Sequence, residues 1–116
     1  MKTKPLLPSL REKKRYLAYE IISENILSKK SVLTLLRQKL VQTLGTFDSA
    51  GAGIMVLPSK YDYKGQKGVL KVNHRYLDKV KAGFCLINDI DGNKVIVRSL
   101  GASGMINKMK NYVNTQ

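Results

Sequence analysis

The sequence predicts an α+β sandwich, with two long helices on one face of a four-stranded antiparallel sheet and an extra helix at the C-terminus. Two patterns and the composition support it. Segments with apolar residues at two-residue spacing interchange with segments at three- and four-residue spacing, in the order β-α-β-β-α-β-α. Gly, Asn, Asp and Ser punctuate the junctions. The composition, 43% hydrophobic and 25% charged over 116 residues, is that of one packed core rather than a disordered chain or coiled coil. The expected organisation is a basic arm over 1–14, one domain over 15–113 and a polar tail over 114–116.

The arm carries Lys2, Lys4, Arg11, Lys13 and Lys14 against one acid, Glu12. Pro5 and Pro8 disfavour helix in its first half, because each lacks an N–H and restricts the residue before it. From Arg15 to Glu24, Leu17, Tyr19 and Ile21 alternate with Tyr16, Ala18 and Glu20, the period of a first strand. Ser28 or Ser31 can cap a helix in which Leu33, Leu36, Leu40, Leu44 and Phe47 form an apolar stripe. Gly45, Gly51 and Gly53 mark its exit. Ile54 to Leu57 reads as a short strand buried on both faces, and Lys60 to Gly68 as a basic connection into a third strand, Val69 to Val72.

Asn73 is the expected cap of a second helix reaching about Ile87, with Leu77, Val80, Phe84 and Ile87 inward. Asp89 to Asn93 supplies turn chemistry, and Val95 to Leu100 the fourth strand. Ser103 is a candidate cap for a C-terminal helix presenting Met105, Ile106, Met109, Tyr112 and Val113. This order is that of a split-βαβ, ferredoxin-like sheet. One sheet face is apolar; the other mixes apolar groups with cations, so the C-terminal helix or a partner should cover it in part.

Twenty-one Lys and Arg face eight Asp and Glu, a formal charge of +13 that a polyanion would offset. The single cysteine, Cys85, excludes an intrachain disulfide and a thiolate zinc cage, and its flanks Phe84 and Leu86 suggest a buried thiol. No apolar run approaches the ~20 residues that span a bilayer. A cytoplasmic protein without membrane contact is expected.

Sites of independent chemistry are not assembled. Asp89, Asp91, Gly92 and Asn93 fail the spacing of a calcium loop and suit a turn. His74, the only histidine, has no orienting carboxylate fixed by sequence and reads as a surface or capping residue. A nuclease gathers carboxylates around Mg²⁺, whereas these eight acids are scattered over different elements. Gly101, Ser103 and Gly104, leading into a helix, fit equally a phosphate-binding loop and a plain turn. The base-stacking string of the RNA-recognition motif is also missing, since Lys64-Gly65-Gln66-Lys67-Gly68-Val69-Leu70-Lys71 holds no aromatic residue. Tyr16, Tyr61 and Tyr63 suit core or interface packing better than stacking. Recognition should therefore rest on phosphate and shape.

Three stretches together resemble a known family. They are Leu7-Pro8-Ser9-Leu10-Arg11-Glu12-Lys13-Lys14-Arg15-Tyr16; Gly68-Val69-Leu70-Lys71-Val72-Asn73 with Tyr76-Leu77-Asp78-Lys79-Val80; and Val95-Ile96-Val97-Arg98-Ser99-Leu100-Gly101-Ala102-Ser103-Gly104-Met105-Ile106. In that order, over roughly 7–113, the chain resembles archaeal ribonuclease P protein component 2. At Lys71-Val72 the family more often has Arg-Cys, which keeps the charge. The resemblance implies a non-catalytic, RNA-binding subunit of an enzyme that removes the 5′ leader from precursor tRNA. The catalyst there is the ribonuclease P RNA with Mg²⁺, and the protein chain itself binds no cofactor. It also implies pairing with ribonuclease P protein component 3 as a heterotetramer of two copies each, alongside other protein subunits, with precursor tRNA met indirectly.

The residues expected to meet RNA are Arg11, Lys13, Lys14 and Arg15 in and beside the arm, Lys64, Lys67 and Lys71 around the hairpin, and Arg98 near the Gly101 to Gly104 segment. Two other classes compete. One is a stand-alone or ribosome-associated module binding RNA or a small anion, separable by the RNA that copurifies. The other is mainly a protein-interaction scaffold, separable by RNA affinity with and without the partner.

Overall fold

The computed structural model describes residues 13–113. Its five strands are β1 (Lys14–Ser23), β2 (Met55–Asp62), β3 (Lys67–Asn73), β4 (Asp89–Ile90) and β5 (Asn93–Ser103), and its α-helices are α1 (Lys29–Ala52) and α2 (Leu77–Leu86). They form one sheet in the order β2-β3-β1-β5-β4 with antiparallel pairing throughout. Without the two-residue β4, this is the ferredoxin-like arrangement expected from the sequence. The difference lies at Asp89 to Asn93, where Asp91 (φ 54°) and Gly92 (φ 78°) both take left-handed conformations. That is the geometry of a tight hairpin turn, so the predicted turn also pairs Ile90 with Asn93.

The alternation in β1 sorts side chains as predicted. Leu17, Tyr19 and Ile21 enter the main core with Leu70, Val72, Val95 and Val97, beneath Val32, Leu36 and Leu40 of α1 and Val80 and Phe84 of α2. Ser28 is the cap of α1, its Oγ accepting from the Ser31 N–H at 3.2 Å. Gly45 does not end that helix. It interrupts it with φ 84°, ψ 173°, the helix resumes to Ala52, and Gly53 closes it in a left-handed conformation. Because the kink resets the helical phase, Phe47 leaves the apolar stripe and is 93% exposed, contrary to expectation, while Ala52 is buried.

β2 also departs from expectation. It is an edge strand that runs on through Pro58, and Met55 is exposed rather than buried. Asn73 caps as expected, accepting from the Arg75 N–H at 3.1 Å, but it opens a 3-10 turn at His74–Tyr76 from which α2 follows. His74 lies in that turn with Nδ1 3.2 Å from the Lys13 carbonyl oxygen. Cys85 is exposed, not buried, because the inward face of α2 is set by Val80, Gly83 and Phe84 and position 85 turns away from it. The C-terminal helix is a 3-10 helix, Ile106–Asn111. Its Met109, with Val113, packs on Ala18 and Val69 across the sheet, forming a second apolar cluster.

Candidate nucleic-acid interface

The face opposite the long helices is built in rows across β3, β1 and β5. The register sets Lys71, Tyr16 and Ser103 in one row, Val69, Ala18 and Gly101 in the next, and Lys67, Glu20 and Arg98 in the third. The middle row lies under the C-terminal 3-10 helix. Gly101 admits it, because a Cβ there would collide with the Tyr112 ring. This helix covers the centre of the surface on which a ferredoxin-like sheet would stack bases, and cations border it on both sides.

The third row is an ion-paired set. Arg98 Nε donates to Glu20 Oε1 at 2.6 Å, and Lys67 Nζ lies 4.0 Å from Glu20 Oε2. The Glu20 side chain is only 16% exposed, against 59% for Arg98, so the carboxylate is held low in the sheet with the guanidinium above it. Two of the cations selected from sequence therefore share one internal counterion. Lys13, Lys14, Arg15, Lys64 and Lys71 have no carboxylate within ion-pair distance among the described residues. Lys64 projects from the exposed turn between β2 and β3. Arg11 lies outside the described residues.

Arg15 sits at the opposite end of β1 from Glu20, its guanidinium against Gly104 where a Cβ would collide with it. The Gly101 to Gly104 segment is otherwise than expected. Gly101 and Ser103 belong to β5, the 3-10 helix starts only at Ile106, and Ser103 Oγ accepts from the Met105 N–H at 3.1 Å. Strand pairing with β1 continues to Tyr16 opposite Ser103, so no helix N-terminus forms there. The segment serves instead as a close-packing site for Tyr112 and Arg15.

Sequence reasoning missed Lys60 and Lys110, which flank the packing of Met109 and Val113 on Val69. Their shared position depends on tertiary contact between β2 and the C-terminal helix, and only their charge was visible beforehand. It also missed Gln66, a buried residue at φ 50° in the turn that presents Lys64. Gln66 Oε1 accepts from the Leu27 N–H at 2.8 Å, while Nε2 donates to the Ile21 carbonyl at 3.1 Å and to Ser23 Oγ at 3.0 Å. Of the tyrosines weighed for base contact, Tyr61 is buried, Tyr16 packs in the second cluster and Tyr63 is 49% exposed.

Besides Glu20, three acids have side-chain partners. Asp89 pairs with Lys39 at 3.0 Å, Asp48 with Lys79 at 3.3 Å, and Asp91 accepts from Ser31 Oγ at 3.2 Å. Among the described residues no three His, Cys, Asp or Glu side chains converge on a point where a metal ion could be held.

Comparison with known proteins agrees with this architecture. The chain is 36% identical over 110 residues to ribonuclease P protein component 2 of Pyrococcus abyssi, an alignment covering 95% of this chain and 92% of that one. It is 36% identical over 107 residues to the protein of the same name from Methanococcus aeolicus, covering 92% and 76%. A chain in the cryo-EM structure of yeast ribonuclease MRP shares the fold, with a TM-score of 0.62 at 18% identity over 81% of this chain and 76% of that chain. Residues 15–114 match the family described as Rpp14/Pop5, and the chain belongs to that family.

Proposed function

We propose that this chain is a protein subunit of ribonuclease P, binding the catalytic RNA so that its folded core is favoured during removal of the 5′ leader from precursor tRNA. The observation that carries this reading is the set of cations without a carboxylate partner among the described residues, Lys13, Lys14, Lys64 and Lys71, on a family scaffold whose acids are engaged or dispersed. Such cations replace counterions along an RNA backbone and lower the repulsion between phosphates brought close by folding. Lys67 and Arg98 contribute as a row already oriented by Glu20. The covered centre of the sheet favours contact with phosphates and shape over stacked bases. Mg²⁺ chemistry belongs to the RNA in this reading, and the protein neutralises charge around it.

The family resemblance supports protein component 3 as a direct partner, two copies of each forming a heterotetramer in the cytoplasm. Precursor-tRNA cleavage reconstituted with this subunit present or omitted tests the role, and omission should lower the rate at limiting Mg²⁺. Arg11, Lys13, Lys14 and Arg15 replaced together should lower the log–log salt slope of RNA binding by about 0.7 to 0.9 for each phosphate no longer neutralised. An unchanged slope would refute the arm as an RNA-binding element.

A further inference from the structure

β5 is the last long strand on one side of the sheet, and most of its outer edge is unpaired among the described residues. β4 opposes only Asn93 and Lys94, and one further bond, from the Val95 N–H to the Asn88 carbonyl at 3.0 Å, ends the cover. The direction of the next groups follows from β1. The Ile21 N–H donates to the Gln66 carbonyl at 2.8 Å, away from β5, so the opposed residues Ile21 and Val97 are a non-hydrogen-bonded pair. Val97 therefore turns its N–H and C=O outward, and Ser99, two residues on and opposite Tyr19, does the same. No strand of the described residues meets these two rungs.

The two margins of the sheet differ. β2 carries Pro58 and a register shift within the strand, features that blunt an edge against pairing, whereas the register shift of β5 lies beyond Ser99, between Ser99 and Gly101, and the rungs at Val97 and Ser99 hold no proline. Beside them β5 and α2 enclose a groove of about 520 Å³ with Phe84, Ile87, Val95 and Val97 in its walls. Among the described residues no carboxylate lines it, and of the two cations on its rim the Arg98 guanidinium is turned to Glu20 on the opposite face, which leaves the Lys81 ammonium to the groove.

We propose that this edge receives an extended segment of another protein chain, added as an outer strand beyond β5, with apolar side chains in the groove and a carboxylate at Lys81. The alternation of outward N–H and C=O at Val97 and Ser99 matches a polypeptide, which offers both donors and acceptors. The phosphates of RNA offer only acceptors, and the apolar walls of the groove match amino-acid side chains rather than a charged ribose-phosphate chain. A second copy of this chain would bring another Lys81 and a formal charge of +13 against an edge that offers no carboxylate. The proposal rests on the subunit role above and assigns a surface to a protein partner within it.

Amide exchange at Val97 and Ser99 tests it, read by NMR on the full chain alone, with the ribonuclease P RNA, and with each other protein subunit of the complex added singly. The expected result is at least a tenfold slowing of both amides with one protein subunit and none with RNA alone. Ser99→Pro deletes an outward donor without removing a bond to β1, and should abolish the slowing at Val97. Lys81→Glu, at a half-buried position of α2 outside its apolar face, should weaken binding of the same subunit several-fold, and it keeps the test alive if the proline variant fails to fold. Slowing that appears with RNA alone, that grows with the concentration of this chain alone, or that appears with no added subunit overturns the proposal. Precursor-tRNA cleavage on the same samples separates the two readings: stimulation without slowing refutes the edge and leaves the subunit role intact, whereas no stimulation refutes the role.

Discussion

Replacing Gln66 by Leu removes a side chain of similar size that makes three hydrogen bonds from a buried position. Ser23 Oγ is partly exposed and can turn to water. The Leu27 N–H and the Ile21 carbonyl are inside, Leu27 being 3% exposed and Ile21 2%, and each is left without its partner. At about 1–3 kcal/mol for each stranded group, the loss should be about 2–6 kcal/mol. That is a large part of the ~5–15 kcal/mol typical of a domain this size, and it should lower Tm by more than about 8 °C. Urea unfolding, with the slope checked for constancy, reads it directly. Gln66→Gly separates two causes: it loses the same bonds but relieves the left-handed backbone at φ 50°, so it should be about 1 kcal/mol more stable than the Leu variant. A Leu variant within about 0.5 kcal/mol of the parent would refute the reasoning, since exposed substitutions already vary that much.

Glu20→Gln releases Arg98 and Lys67 from their shared counterion; if that row meets RNA, the salt slope of binding should steepen by about 0.7 to 0.9 for each additional phosphate neutralised, and an unchanged slope would place the row away from RNA. Tyr19 and Tyr61 bury hydroxyls that have no hydrogen-bond partner among the described residues, so Tyr19→Phe should leave stability unchanged or raise it by about 1 kcal/mol in the same urea assay. Burial raises both phenols, Tyr61 also through the Asp62 carboxylate and pushed up to about 12. The unfolded chain gives up these protons near pH 10 and the folded chain holds them longer, so stability is full below pH 10 and should fall by about 1.4 kcal/mol per pH unit per tyrosine up to pH 12. Tyr61→Phe should flatten that decline. Gly101→Val drives a side chain into the Tyr112 ring, so limited proteolysis should cut after Lys108 or Lys110 sooner than in the parent, at a cost of about 1–3 kcal/mol.

The ferredoxin-like order was legible because its signals are local. The alternation of Leu17, Tyr19 and Ile21, the Ser28 and Asn73 caps and the Asp91-Gly92 turn each act within a few residues. What sequence could not supply came from contacts far apart in the chain. Phe47 is the local exception: it left the core because Gly45, two residues before it, reset a helix whose residues on either side still fit one stripe. The Gly101 to Gly104 segment combined turn-forming residues with a following apolar stripe, yet pairing with β1 extended the strand through it. The cations of the candidate interface were visible as charges. Their partners were not, since Glu20 meets Arg98 across 78 positions of sequence, and only the register of three strands brings them together.

The position of β1 also bears on how this chain reaches its fold. It precedes every other strand, yet both its neighbours come much later, β3 beginning at Lys67 and β5 at Asn93. The helices can form from nearby residues in about a microsecond or less. The central strand must instead wait for two distant closures, which places the slow step of folding in the sheet rather than in the helices. Until β5 arrives, one side of an apolar strand stands open, a state that favours association between chains. The surplus positive charge then has a second use before any partner is met, because it keeps half-folded copies apart while the last strand finds its place.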